Sequence, residues 1–164
     1  MDNSQAPWQT PQLIEHIQRL ESSFHRWTGR SLLPQAPELS SIALAEALFQ
    51  APFVLASHGT EADPILNYGN QTALNLWALS WEQFTQTPSR YTAEPIERDE
   101  RERLLQQVQT QGFISDYRGI RISSQGQRFW IQGAIVWDVL DADDRLWGQA
   151  VTFSNWQFLE PTAS

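Results

Sequence analysis

Three side chains in this sequence have the chemistry to hold an anion or move a proton in a pocket: Arg90, Asp116 and Arg118. Arg90 lies in the irregular stretch Ser89-Arg90-Tyr91, ahead of a long helical segment. A guanidinium there can grip a carboxylate or phosphate by two parallel hydrogen bonds, or tie its loop to a nearby Asp or Glu. Asp116 and Arg118 are two residues apart in a strand-like segment, so they share a face. They read either as polar handles inside a pocket or as a mutual ion pair at a solvated strand end. A desolvated Asp116 could also serve as a base.

Other chemistry is sparse. His16, His25 and His58 are the only imidazoles and have no metal-ligand spacing. His16 and His25 fall on an N-terminal helix and are expected in solvent, while His58 beside Gly59 suits a turn. His58 is the one imidazole near the expected core, and neither haem nor flavin is supported by the sequence. Asp141, Asp143 and Asp144 lack the glycine and distal glutamate of a calcium loop. Glycine-rich phosphate loops and the nucleophile elbow are missing. No catalytic residue and no metal site are assigned.

Composition narrows the classes further. The chain has 164 residues, 41% apolar, with no cysteine. That excludes disulfides, thiolate metal sites, cysteine nucleophiles and a cysteinyl–flavin adduct. Nineteen acidic residues against eleven basic ones give a net charge of −8. All eleven are Arg, and they form no basic run, which disfavours nucleic acid and anionic membranes as partners. No apolar stretch is long enough to span a bilayer, and the first residues do not resemble a signal peptide. A cytoplasmic domain is expected. Eight Trp residues supply large apolar surfaces, each with one N–H donor.

The elements that must position these residues follow from pattern. Residues 1–9 are polar and read as frayed. Thr10-Pro11 opens a helix in which Leu13, Ile17, Leu20, Phe24 and Trp27 recur at spacings of four and three, stopped at Gly29. That stripe can cover the chain's own sheet or form a coiled-coil-like dimer seam. A proline-bearing linker follows, then a helix over about residues 38–50. Phe53–Ala56 and Ile65–Tyr68 read as a hairpin. Asn70 caps one short helix and Ser80 opens another with a capping box. A strong helix runs from Glu97 to Gln111, laced by Glu94–Arg98, Glu97–Arg101 and Asp99–Arg103 pairs. Three strands close the chain: Phe113–Ser123, Arg128–Leu140 and Leu146–Phe158.

A two-residue Gln125-Gly126 turn sets the register of the first two of these strands. Ile122 then faces Phe129, Ile120 faces Ile131, Arg118 faces Gly133, Asp116 faces Ile135 and Ile114 faces Trp137. The opposite face, with Tyr117, Trp130, Ala134 and Val136, is also apolar. Both faces are therefore expected to be covered, one by the helices between strands two and three, the other by the N-terminal helix.

The segment Ile65–Trp77, with a strand, an Asn and a helix carrying paired apolar residues, resembles a PAS domain, as does Ser80–Phe84 after it. The pieces Pro88-Ser89-Arg90, Ala93-Glu94-Pro95, Gly112-Phe113-Ile114, Tyr117–Ile122 and Gly148–Ser154 resemble the PAS-related MEKHLA family over most of the chain. The literal string Met-Glu-Lys-His-Leu-Ala is absent. The resemblance implies an α+β fold: a PAS-like antiparallel five-stranded sheet with helices on one face, preceded by N-terminal helices. It divides the chain into an N-terminal helix and linker, 1–37, and a PAS-like domain, 38–160. It implies a sensory or interaction role and brings no ligand and no catalytic residue. The expected function is a module that binds a small apolar or anionic molecule or a protein partner, with no output domain of its own and a homodimer possible. Trp77, Phe129, Ile131, Ile135 and Trp137 are the expected cavity walls, with Arg90, Asp116 and Arg118 as anchors. The alternatives are a small enzyme on a ketosteroid-isomerase-like curved sheet with Asp116 as base, and a purely structural dimerisation domain.

Overall fold

The computed structural model of the chain describes residues 6–160. The expected frayed N-terminus lies partly outside this range; inside it, Pro7–Gln9 form a 3-10 turn with Trp8 buried. Helix α1 (Pro11–Thr28) opens at Thr10, whose side chain accepts from the Leu13 amide, and closes at Gly29. Its stripe faces the chain's own sheet: Ile17, Leu20 and Phe24 are buried, with Leu13 and Trp27 packed beside them. The stripe is thus used within the chain rather than as a seam between chains. His16, expected in solvent, is 6% exposed on this same helix.

Next come α2 (Ser41–Phe49), β1 (Val54–His58), β2 (Leu66–Gly69), α3 (Gln71–Trp77) and α4 (Trp81–Phe84). Asn70 caps α3 as its position foretells, accepting from the Ala73 amide at 3.1 Å. Because it is fully buried, every polar atom of its amide is needed. Its Oδ1 also accepts from Leu55 N, and its Nδ2 donates to Leu48 O and Phe53 O at 3.0 and 2.8 Å. One side chain therefore locks α2, β1 and α3 together. Helix α5 (Pro95–Gln111) follows, ending at Gly112. The expected pairs along α5 give way to tertiary partners: Glu94 meets Arg128 at 3.7 Å, and Arg101 turns inward.

The remaining strands are β3 (Phe113–Ile122), β4 (Arg128–Leu140), β5 (Leu146–Phe153) and β6 (Asn155–Phe158). All pairs are antiparallel, in the order β2-β1-β5-β4-β3. The expected third strand breaks at Ser154, and both halves, β5 and β6, run along β4. Helix α1 covers one face, while α3 and α5 lie on the other. No helix among the described residues is long and apolar enough to cross a membrane.

The β3–β4 register differs from expectation by one residue. Ser123 N donates to Gln127 O at 2.9 Å, so the loop holds three residues, with Gly126 at φ 80°. That is the three-residue hairpin with its last loop residue left-handed. The Ser123 hydroxyl accepts from the Gln125 and Gln127 amides and favours this longer loop. Ile122 therefore pairs with Arg128, Arg121 with Phe129, Ile120 with Trp130 and Gly119 with Ile131. Since side chains alternate, one residue of slip exchanges the faces. Phe129 and Ile131 point to the α5 side together with Arg121, and Ile120 and Ile122 point away.

Two offsetting irregularities follow. Gln132 and Gly133 together oppose Arg118, and Ser115 and Asp116 together oppose Ile135, so Ile114 returns to register against Val136. Asp116 sits at the second bulge with φ 56°.

Candidate functional site

Between the sheet and α5 lies a mostly apolar cavity. Its apolar wall comes from Leu66 of β2, Trp77 of α3, Phe84 of α4, Leu104 of α5, and Ile131 and Val136 of β4. The space open to the centres of water-sized spheres is about 80 Å³. At ~10–15 Å³ of such space per water, that is room for several water molecules, the size class of a small organic molecule.

The polar wall is built by three elements. Strand β3 contributes Tyr117 and Arg121, α5 contributes Arg101, and β1 contributes His58 at its end. Gly119 stands between Tyr117 and Arg121. A Cβ there would collide with Tyr117 Oη and lie 3.1 Å from Arg121 Nη1, so glycine makes room for the pair. Arg121 Nη2 donates to Tyr117 Oη at 3.1 Å and Nη1 donates to Ile120 O at 2.8 Å. The Tyr117 hydroxyl in turn donates to the Glu100 carboxylate at 2.9–3.0 Å. Arg101 donates to Ser89 Oγ and approaches Glu102 at 3.7 Å.

Arg101 and Arg121 are 5% and 6% exposed. Burial, and then the charge of Arg121, pull the Arg101 guanidinium down to about 10. Burial raises the Tyr117 phenol, while the Arg121 charge opposes that rise. His58 Nδ1 donates to Gly59 O at 3.0 Å, which leaves Nε2 as an acceptor. Burial and the Arg101 charge lower its basicity, so the ring is neutral at pH 7. Two buried wall atoms have no hydrogen-bond partner among the described residues: His58 Nε2 and Trp77 Nε1.

Of the expected site residues, Trp77 and Ile131 line the cavity. Phe129 is fully buried behind Trp77, their rings edge-on at 5.5 Å. Trp137 is fully buried on the other face, edge-on to Phe24 at 4.9 Å. Ile135 alternates onto that same α1 side, half-buried. Arg90 takes the loop-tying role, with Nε 3.1 Å from Asp63 and its side chain 41% exposed. Asp116 and Arg118 are exposed and border a shallow groove with Glu100 and Arg103 on the outside of α5. The longer hairpin loop is the cause: it gives the inner face to Tyr117 and Arg121.

Arg101, Tyr117, Arg121 and Ser89 were not among the expected site residues. Arg101 had a readable signal, since it shares the apolar stripe of α5 with Leu104 and Val108 at spacings of three and seven. Arg121 had none without the loop length. No group of three or more carboxylates and imidazoles among the described residues could hold a metal ion.

The family model of the MEKHLA domain matches residues 14–158. No curated protein matches the chain. Among solved structures, the chain is similar to the PAS domain of a protein from Colwellia psychrerythraea, at 14% identity and a TM-score of 0.58, over 66% of this chain and 90% of that one. It is similar to a light-oxygen-voltage domain studied with a flavin analogue, at 14% identity and 0.55, over 71% and 84%. It is also similar to an RNA-binding light-oxygen-voltage receptor, at 17% identity and 0.54, over 74% of this chain and 34% of that one. Likeness at this identity establishes a PAS-like fold.

Proposed function

The chain belongs to the MEKHLA domain family, and on that premise we propose that it is a PAS-like sensory module whose input is a small molecule held between the sheet and α5. The observation that carries the reading is that two residues lining one cavity, Trp77 and His58, each hold a buried polar atom, Nε1 and Nε2, without a partner among the described residues. Leaving a buried donor or acceptor unmet costs about 1–3 kcal/mol each. A ligand offering an acceptor to Trp77 and a donor to His58 recovers that cost. An apolar wall with a few convergent polar groups is the ordinary form of a ligand site.

The enzyme reading with Asp116 as base loses support, because Asp116 is exposed and lies outside the cavity lining. A cysteinyl–flavin adduct is disfavoured by the lack of cysteine. RNA binding belongs to the receptor of which this chain matches 34%; here the net charge of −8 argues for a partner other than nucleic acid.

The test is fragment binding followed by the indole N–H resonances of labelled protein, with W77F assigning Trp77. The expected outcome is that some small fragments move the Trp77 resonance. A diverse fragment set that never moves it would defeat the reading.

A further inference from the structure

Two guanidinium groups line this one small cavity, each almost wholly buried. Such charges are costly in an apolar site unless an opposite charge is paired with them. Among the described residues, no carboxylate lies within salt-bridge distance of Arg121, whose partners are a carbonyl and a phenol. Glu100 is one hydroxyl further out, beyond Tyr117. Arg101 has Glu102 at 3.7 Å, but that carboxylate is 60% exposed and largely screened by water. The buried Asp138 on the same side is bonded to Gln149 rather than to either arginine, so among the described residues the two guanidinium groups have only peripheral carboxylate partners.

We propose, building on the sensory reading above, that the cavity takes a small carboxylate whose head lies between Arg101 and Arg121. Arginine presents a planar fork of donors that matches a carboxylate. The rest of the wall sets the body of the molecule. Phe84, Leu104, Ile131 and Val136 ask for a short apolar portion, and the volume excludes a long chain. Trp77 Nε1–H offers one further donor, and His58 Nε2 asks for a hydroxyl or N–H on the ligand. An inorganic phosphate would meet the charges and leave the apolar wall without a partner.

The experiment is thermal unfolding of the full chain at constant ionic strength. The probes are sodium benzoate, salicylate and lactate, their neutral amides, and inorganic phosphate. At roughly tenfold over its dissociation constant, a carboxylate is expected to raise the midpoint by about 3–6 °C, and its amide is not. R121M is expected to abolish that response and, without added ligand, to melt no lower than wild type, since it removes an uncompensated buried charge. A merely structural Arg121 would instead give a lower midpoint in R121M. If R121M does not fold, R101Q carries the same comparison.

Acids and amides that stabilise equally would overturn the carboxylate while keeping the cavity as a ligand site. Stabilisation by phosphate alone would overturn it in favour of an inorganic anion. A response that persists unchanged in R121M and R101Q would place the anion elsewhere. No shift with any probe overturns the carboxylate; if the Trp77 resonance is also unmoved by the fragment set, the sensory reading fails with it.

Discussion

Ser57 and His58 are neighbours on β1 and point to opposite faces of the sheet. On the α1 side, Ser57 Oγ donates to Asn67 Oδ1 at 2.6 Å and accepts from His16 Nε2 at 2.9 Å. Around it, Trp27 Nε1 donates to Asp138 O, and Ser23 both donates to and accepts from the Leu140 backbone. On the α5 side, His58 Nε2 has no partner and two arginines stand nearby. Unpartnered neutral groups occur on both sides, since Tyr68 Oη and Trp137 Nε1 are also unmet. What separates the faces is the enclosed, mostly apolar cavity with two almost wholly buried guanidinium groups on the α5 side; the α1 side has an open surface groove beside Arg19 and Asp141 instead. The α1 face is a packed joint; the α5 face has the means to hold something.

The largest test of this contrast is F24A. Phe24 closes edge-on over the fully buried Trp137, and its truncation is expected to cost about 3–5 kcal/mol in urea unfolding, as for other buried aromatic side chains. A loss below 1 kcal/mol would mean that α1 is not an integral part of the core.

A second test uses pH. Burial first, and then Arg19, lower the His16 imidazole to about 4. The unfolded chain then binds the proton more readily, so this contribution is intact above pH 6.5 and is lost as pH falls toward 4. The total is about 3 kcal/mol. H16Q is expected to flatten that part of the stability profile. An unchanged slope in H16Q would move the effect across the sheet to His58, whose basicity is also lowered by burial.

G119A is expected to cost about 1–3 kcal/mol by crowding Tyr117 and Arg121, and to weaken any anion response with it. Stability and response both unchanged would show that the network tolerates rearrangement. The smallest effect is expected for D116N, an exposed residue at a bulge, where Asn accepts the same backbone. Midpoint and ligand response should match wild type. A lost turnover of some substrate in D116N would revive the enzyme reading.

Much of the fold was legible because it rests on local rules. The caps at Thr10, Asn70 and Ser80 and the α1 stripe depend on residues three or four apart, and each forms as expected. Of the site, Trp77 and Ile131 were legible as large apolar groups on inward-facing positions. Arg121 and Tyr117 were not, because their direction hangs on whether the hairpin loop has two residues or three. Gln125-Gly126 is compatible with either, and only the Ser123 hydroxyl and the fit of Phe129 and Ile131 beneath α5 decide it.

The sequence by itself determined most of the elements and their order, since periodicity, capping and turn chemistry act within a few residues, and the family resemblance carried the PAS-like sheet. The tertiary structure alone decided which charges of the β3 strand are buried. That Arg121 goes inside while Asp116 and Arg118 stay in solvent depends on a one-residue register and two bulges. Those are set by the Ser123 hydroxyl in the loop together with packing between segments distant in the chain, and a period-two pattern cannot report its own phase.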